Sequence, residues 1–161
     1  MRYIGGKSNL LNDINNVITQ RMINVNTVID IFSGSGVVSS FLKRNGYNVI
    51  GNDIMYFSYV LSRGSTELNH TPAFANLAIA DPIAFLNNLD IANTDINLED
   101  CFIYQNYSPH DNVARMYFQN DNAIKIDIIR ITIENWHMEH LINDDEYYYL
   151  LAALISSSSL C

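Results

Sequence analysis

The sequence predicts an α/β fold in which a parallel βαβ unit near the amino terminus is followed by a mainly helical segment. Three observations carry this. Residues 27–32, TVIDIF, form a β-branched apolar run of the kind that suits a buried strand. Gly34 and Gly36 then break the apolar pattern, which resumes at helical spacing through Val37, Val38, Phe41 and Leu42 and stops near Asn45-Gly46. A second short strand, residues 47–52, ends in Asp53. Strand, glycine turn, helix, turn and strand in this order imply parallel pairing with a right-handed crossover.

The flanking elements follow from the same periodicities. Leu10, Leu11, Ile14, Val17 and Ile18 share one face of a helix predicted over residues 7–22, with Ser8 as its candidate N-cap. Residues 55–61 are predicted helical. From residue 64 to 100 the pattern weakens: 73–80 and 83–89 are predicted as short helices, and IANTDINLED, 91–100, as a polar loop. In AIKIDIIRITIENW, from Ala123, the alternation of Ile124, Ile126 and Ile128 fits a strand. Ile124, Ile128 and Ile131 with Ile129, Ile133 and Trp136 also line a helix, and the length of the run decides for the helix. A final helix is predicted over 145–156, with Leu150, Leu151, Leu154 and Ile155 inside.

The totals exclude several classes. A chain of 161 residues suits one domain with its own core, and 48% hydrophobic residues without a long uncharged run predict no membrane span. The opening RYIGGK is polar and loop-like rather than a secretory signal. Cys101 and Cys161 lie far apart with no CxxC pair, which gives neither a zinc site nor a disulfide scaffold, and a cytoplasmic protein is expected. His70, His110, His137 and His140 form no cluster, so no metal is expected. The net charge of −8 argues against a broad cationic groove. That charge is uneven: Arg2, Lys7, Arg21, Lys43 and Arg44 make the beginning mildly basic, and no lysine or arginine follows Ile133.

Gly34 and Gly36 stand between strand and helix, where bare backbone lets a ligand approach and the helix start offers unpaired N–H groups. Asp30 is placed to orient the loop or to accept from an ammonium group, and Asp53 to meet ribose hydroxyls. The pattern FSGSG is a poorer match to a dinucleotide than GxGxxG. Together these point to a nucleoside with an amino-acid tail, S-adenosylmethionine. The same residues also suit a plain tight turn, with Asp53 capping the next helix.

Three separated blocks, RYIGGKSNLLNDI, VIDIFSGSGVVSSFLKRNGYNVIGNDIMYFSYVL and FIYQNYSPHDNVARMYFQNDNAIKIDIIRITIENW, together resemble the amino-terminal part of the D12-class (Dam-related) adenine-specific DNA methyltransferases. The resemblance implies a partial Rossmann-like S-adenosylmethionine-dependent methyltransferase fold with a helical C-terminal segment. It divides the chain into residues 1–100, part of the cofactor domain, and 101–161, the start of the target-recognition region. Tyr3, Gly5, Gly6 and Lys7 match the family's first cofactor block. Asp30, Phe32, Ser33, Gly34 and Gly36 match the second, and Asp53 the acid that binds ribose. Arg115 and Arg130 become candidate contacts to double-stranded DNA by the same comparison, with ion pairing inside the protein as the alternative.

One departure matters. The family transfers its methyl group with an Asp-Pro-Pro-Tyr motif, and this sequence has none: Asp81-Pro82-Ile83 reads as a helix start, and Asn106-Tyr107-Ser108-Pro109 has the wrong order. The chain is therefore expected to be a truncated, split or proteolysed methyltransferase, inactive alone. It is expected to self-associate or to need a complementary polypeptide, because two strands are too few to bury the apolar ridges. The alternatives are a catalytically dead cofactor- or DNA-binding remnant and a nicotinamide-nucleotide-binding βαβ protein.

Overall fold

The computed structural model describes residues 7–94, 96–110 and 116–158. The chain divides into two compact units, at residues 71 and 72.

In the first unit a short 3₁₀ turn, Ser8–Leu10, leads into α1, Leu11–Arg21. Strand β1, Thr27–Asp30, is joined through α2, Val37–Arg44, to β2, Asn48–Gly51, and the strands pair in parallel from Thr27↔Asn48 to Asp30↔Gly51. The expected βαβ unit is present. Helix α3, Tyr56–Leu61, continues without a break into a π-helical turn, Ser62–Glu67, which the sequence did not predict. Leu42, Val60 and Leu61 are buried in this unit together with the hydroxyls of Ser39 and Ser58.

Side chains alternate across a sheet, and here the two faces differ. Val28 and Val49 are half-buried, whereas Ile29 and Ile50 are 60% and 54% exposed. The stripe predicted on α1 is likewise incompletely covered: Ile18 is buried, but Leu10 and Val17 are about half exposed, and Ser8 makes no capping bond.

The second unit is helical among its described residues. Helix α4, Pro82–Asn87, is capped by Asp81, whose Oδ1 accepts from the Ala84 N–H at 2.9 Å. Helix α5, Phe102–Tyr107, lies in the segment expected to be mainly helical but was given no bounds of its own; α6, Asn120–Met138, and α7, Asp144–Ser158, were predicted individually. Phe74, Leu77, Leu86, Ile129, Ile133, Trp136, Ile142 and Leu150 form the core. The helix expected over 73–80 does not form. Phe74 adopts a left-handed backbone, φ 53°, and Phe74 and Leu77 are buried in the core, so packing overrides a weak local preference. The loop expected over 91–100 carries two single 3₁₀ turns started by the Asp90 and Asn97 side chains.

The turn from α6 to α7 explains itself locally. His140 is left-handed, and the Leu141 N–H donates to the Trp136 carbonyl and that of His140 to His137, the double closure of a Schellman end. Asn143 and Glu146 then cap α7 reciprocally: the Asn143 N–H donates to Glu146 Oε2 and the Glu146 N–H to Asn143 Oδ1. No described helix is long and apolar enough to cross a membrane.

Candidate nucleoside-binding site

The chain leaves β1 at Asp30 and reaches α2 through a loop whose two glycines are both left-handed, Gly34 at φ 52° and Gly36 at φ 73°. The loop is tied to the end of β2 by main-chain bonds: Asn52 N–H to the Asp30 carbonyl at 2.8 Å, and Ser33 N–H to the Asn52 carbonyl at 2.9 Å. The Asn52 side chain adds a bond to the Ile31 carbonyl.

Two carboxylates complete the arrangement. Asp53 Oδ2 accepts the Gly34 N–H at 2.8 Å, and its Oδ1 accepts the Met55 N–H at 3.0 Å. These two bonds, Met55 first and Gly34 second, hold the Asp53 carboxyl below the usual carboxylate range. Asp30 Oδ2 accepts from the buried Ser39 hydroxyl at 2.7 Å. Asp53 therefore organises the turn ahead of α3 and lines the cleft, but it is not the cap of that helix, whose N-cap position is Met55 and carries no side-chain bond.

That cleft, about 170 Å³, is lined by Lys7, Asp30, Phe32, Ser33, Gly34, Ser35, Val37, Val38 and Asp53. Six of the sequence-predicted residues thus meet in one place. Gly36 is buried behind the loop, and Phe32 is 81% exposed. Tyr3, Gly5, Gly6 and Arg115 lie outside the described residues. Ser35, Val37 and Val38 were missed as lining residues, although they are contiguous with the glycine block.

The Ser33 hydroxyl is buried in this loop and has no hydrogen-bond partner. Two carboxylates as acceptors, Lys7 as a cation and the apolar Val37 and Val38 around bare glycine backbone fit a polar nucleoside with a charged tail, with the Ser33 hydroxyl buried beside them.

Arg130 is placed otherwise. Its Nη2 and Nε lie 3.2 and 3.3 Å from Oδ1 of the fully buried Asp127, whose Oδ2 accepts the Tyr104 N–H of α5 at 2.9 Å. Asp81-Pro82 starts a helix, as expected. Ser108, after the Asn106-Tyr107 pair, is buried and closes α5 by donating to the Tyr104 carbonyl. Among the described residues no group of three or more His, Cys, Asp or Glu could hold a metal ion.

A parallel βαβ unit whose glycine loop is clamped by the carboxylate following β2 defines a nucleoside-binding half-domain. A family profile described as D12 class N6 adenine-specific DNA methyltransferase matches residues 3–159, and the chain belongs to that family. It is 40% identical over 148 residues to the Type II methyltransferase M.FokI of Planomicrobium okeanokoites, covering 89% of this chain and 22% of the relative. The modification methylase LlaI of Lactococcus lactis subsp. lactis is 39% identical over 146 residues, at 89% and 22%. The Type II methyltransferase M.NlaIII of Neisseria lactamica is 34% identical over 149 residues, at 90% and 41%. The chain thus spans about a fifth of the length of the first two relatives. No solved structure matches it significantly. Membership implies S-adenosylmethionine as the cofactor.

Proposed function

We propose that this chain is the amino-terminal, cofactor-holding portion of an adenine-specific DNA methyltransferase that transfers a methyl group from S-adenosylmethionine to adenine N6 in double-stranded DNA. The observation that carries the cofactor reading is the cleft in which Lys7, Asp30 and Asp53 meet around the left-handed glycine loop. When bound, S-adenosylmethionine supplies an electrophilic methyl group on a sulfonium centre. The chain's own residues bind and orient. Asp30, held by Ser39, takes the ammonium of the amino-acid tail, and Lys7 takes its carboxylate beside Ser33. Asp53 takes the ribose hydroxyls, with Tyr3, Gly5, Gly6, Phe32, Gly34 and Gly36 completing the enclosure.

Residues 1–100 are assigned to the cofactor domain on this reading and 101–161 to the start of the target-recognition region. Arg115 and Arg130 are carried as DNA-contact candidates. The Arg130 side chain is 37% exposed, so a phosphate contact is compatible with its pair to Asp127. The relatives' names support a restriction-modification role, which would place the enzyme with DNA in the cytoplasm.

The catalytic Asp-Pro-Pro-Tyr motif is absent from this sequence, so turnover requires a polypeptide segment that carries it, which a second copy of this chain does not provide. The exposed Ile29 and Ile50 of the sheet support a covering partner, since such a face otherwise faces water.

Calorimetry with S-adenosylmethionine, its demethylated product and NAD tests the cofactor. Weak binding of the first two and none of NAD is expected, and a preference for NAD refutes the assignment. Label transfer to adenine-containing duplex DNA by the 161-residue chain alone is expected to be undetectable, and robust incorporation refutes the dependence on a second polypeptide. Light scattering at micromolar concentration is expected to show association, whereas a monodisperse monomer with a cooperative melt refutes the need for a cover.

A further inference from the structure

We infer that Lys43 and Thr66, which do not line the cleft, are positioning residues for the cofactor: Lys43 ties down the π-helical turn that seats Thr66 on Gly36 and so fixes the left-handed backbone of the cradle. The consequence for ligand rests on the cofactor reading above, and the mechanism rests on residues 33–68 alone.

The π-helical turn is the starting point, since such turns are rare and occur mostly as single turns within α-helices. The local sequence SRGSTE only weakens the α-helix there: Gly64 is a poor helix former, and the Ser65 hydroxyl donates to the Leu61 carbonyl four residues back. Each residue advances about 100° around a helix, so one residue added to a turn rotates everything after it. The result is that Thr66 is buried while its neighbours Ser65 and Glu67 are exposed.

In that position Thr66 Oγ1 lies 2.9 Å from Ser40 Oγ, over the first turn of α2. It also sits 3.3 Å from where a Cβ on Gly36 would be, so it packs directly on bare backbone. Gly36 is the hinge of the loop: its N–H donates to the Ser33 carbonyl and its carbonyl accepts the Ser40 N–H, both at 2.8 Å. A shift of Gly36 therefore reaches Ser33, a residue that lines the cleft and whose buried hydroxyl is unpartnered.

Lys43 locks the far side. Its Nζ donates to the carbonyls of Thr66, Glu67 and Leu68 at 2.5, 3.1 and 2.9 Å, using all three ammonium protons on the end of one turn. A cation at a helix C-terminus is favourable because carbonyl dipoles converge there. The glycine loop is thus held by two clamps, Asp53 on Gly34 and Thr66 on Gly36.

The test compares Lys43→Met, Thr66→Val and Thr66→Ser in the full chain, by amide NMR with hydrogen exchange and by calorimetry with S-adenosylmethionine. Thr66→Val keeps the shape and drops the hydroxyl; Thr66→Ser restores it. In Lys43→Met and Thr66→Val the Gly34 and Gly36 amide resonances are expected to move and to exchange about tenfold faster, while α6 amides stay as they were. Affinity is expected to fall about five- to tenfold, the worth of one hydrogen bond, and to recover in Thr66→Ser. Unmoved glycine amides, or Thr66→Ser behaving like Thr66→Val, overturn the inference. If the unsubstituted chain binds and all variants bind as tightly, the positioning role falls and the cofactor reading stands. If the amides respond but the unsubstituted chain binds no S-adenosylmethionine, the cofactor reading falls and takes the ligand consequence with it.

Discussion

Three glycines in the first unit make a graded test of the loop geometry. At Gly36, φ 73°, an alanine must hold a left-handed backbone, and its Cβ would lie 3.3 Å from Thr66 Oγ1, inside ordinary contact. Thr66 has little room to give, because Ser40 and Lys43 hold it from two sides. At Gly46, φ 90°, a Cβ would meet nothing within 4 Å, so Gly46→Ala isolates the backbone term. Gly51 has no positive φ, and its Cβ would meet Ser62 Oγ at 3.7 Å and Ser33 at 3.8 Å, so Gly51→Ala is the control. The left-handed backbone costs alanine about 1–2 kcal/mol, and loss of unfolded-state freedom returns about 0.4–1 kcal/mol at any glycine. Gly51→Ala is expected to be neutral or slightly stabilising, Gly46→Ala to cost about 1 kcal/mol, and Gly36→Ala, with the contact added, about 2 kcal/mol. In urea, with a slope of about 2 kcal/mol/M, the midpoint moves by roughly 1 M for Gly36→Ala and half that for Gly46→Ala. Circular dichroism reads these midpoints. If Gly36→Ala is no worse than Gly46→Ala, the Thr66 contact is refuted; if it is no worse than Gly51→Ala, the left-handed loop is.

The folded Asp53 carboxyl titrates below its unfolded value, so its contribution to stability is complete above the unfolded value near 3.9 and is lost as pH falls through the lower folded one; acid unfolding of the first unit should lose this component in Asp53→Asn. Asp127→Ala frees the Tyr104 N–H and strands a guanidinium that is 37% exposed, which should cost about 2 kcal/mol, less than for a fully buried pair, with Arg130→Met milder, both read from Trp136 fluorescence. Ile133→Ala empties a site with 0% exposure in the helical core and should cost about 2–5 kcal/mol by the same probe. Equal melts for Ile133→Ala and the unsubstituted protein would contradict the packing described.

The elements legible in the sequence were those whose apolar period is long or whose boundaries carry glycine. β1, α2 and β2 were readable because the glycine break and Asn45-Gly46 punctuate two different periods, and α6 because a run of that length outlasts any strand. The π-helical turn and the bounds of α5 were not, since each depends on bonds from elsewhere in the fold: Lys43 on three carbonyls, and Asp127 on the Tyr104 N–H. The signal that existed was the spacing of Asp127 and Arg130, three apart on a helix, which favours an ion pair. Within the site, Asp30, Ser33, Gly34 and Asp53 were legible because a strand-to-helix loop and the next strand end must meet. Ser39, Lys43 and Thr66 act from behind the loop, where no local pattern reports them.

The sequence offered two readings of Asp53, a cap for the next helix and a ribose acceptor; Asp53 ties down the turn at Met55 rather than capping α3, and the proposed ribose role is compatible with that bond. An ionised carboxylate has about four acceptor sites and no donor. The Gly34 and Met55 N–H groups take one site on each oxygen, with the Ser58 side chain and the Ile54 backbone acting more weakly on the same carboxyl. Those same bonds lower the carboxyl's pKa, so at neutral pH it is purely an acceptor, the form that ribose hydroxyls require. The clamp on the loop and the reach toward a sugar thus call for the same charge state. Asp53→Asn would fail in both roles together: it presents an amide donor to at least one backbone donor or to the ligand, and loop protection and nucleoside affinity should fall in the same variant.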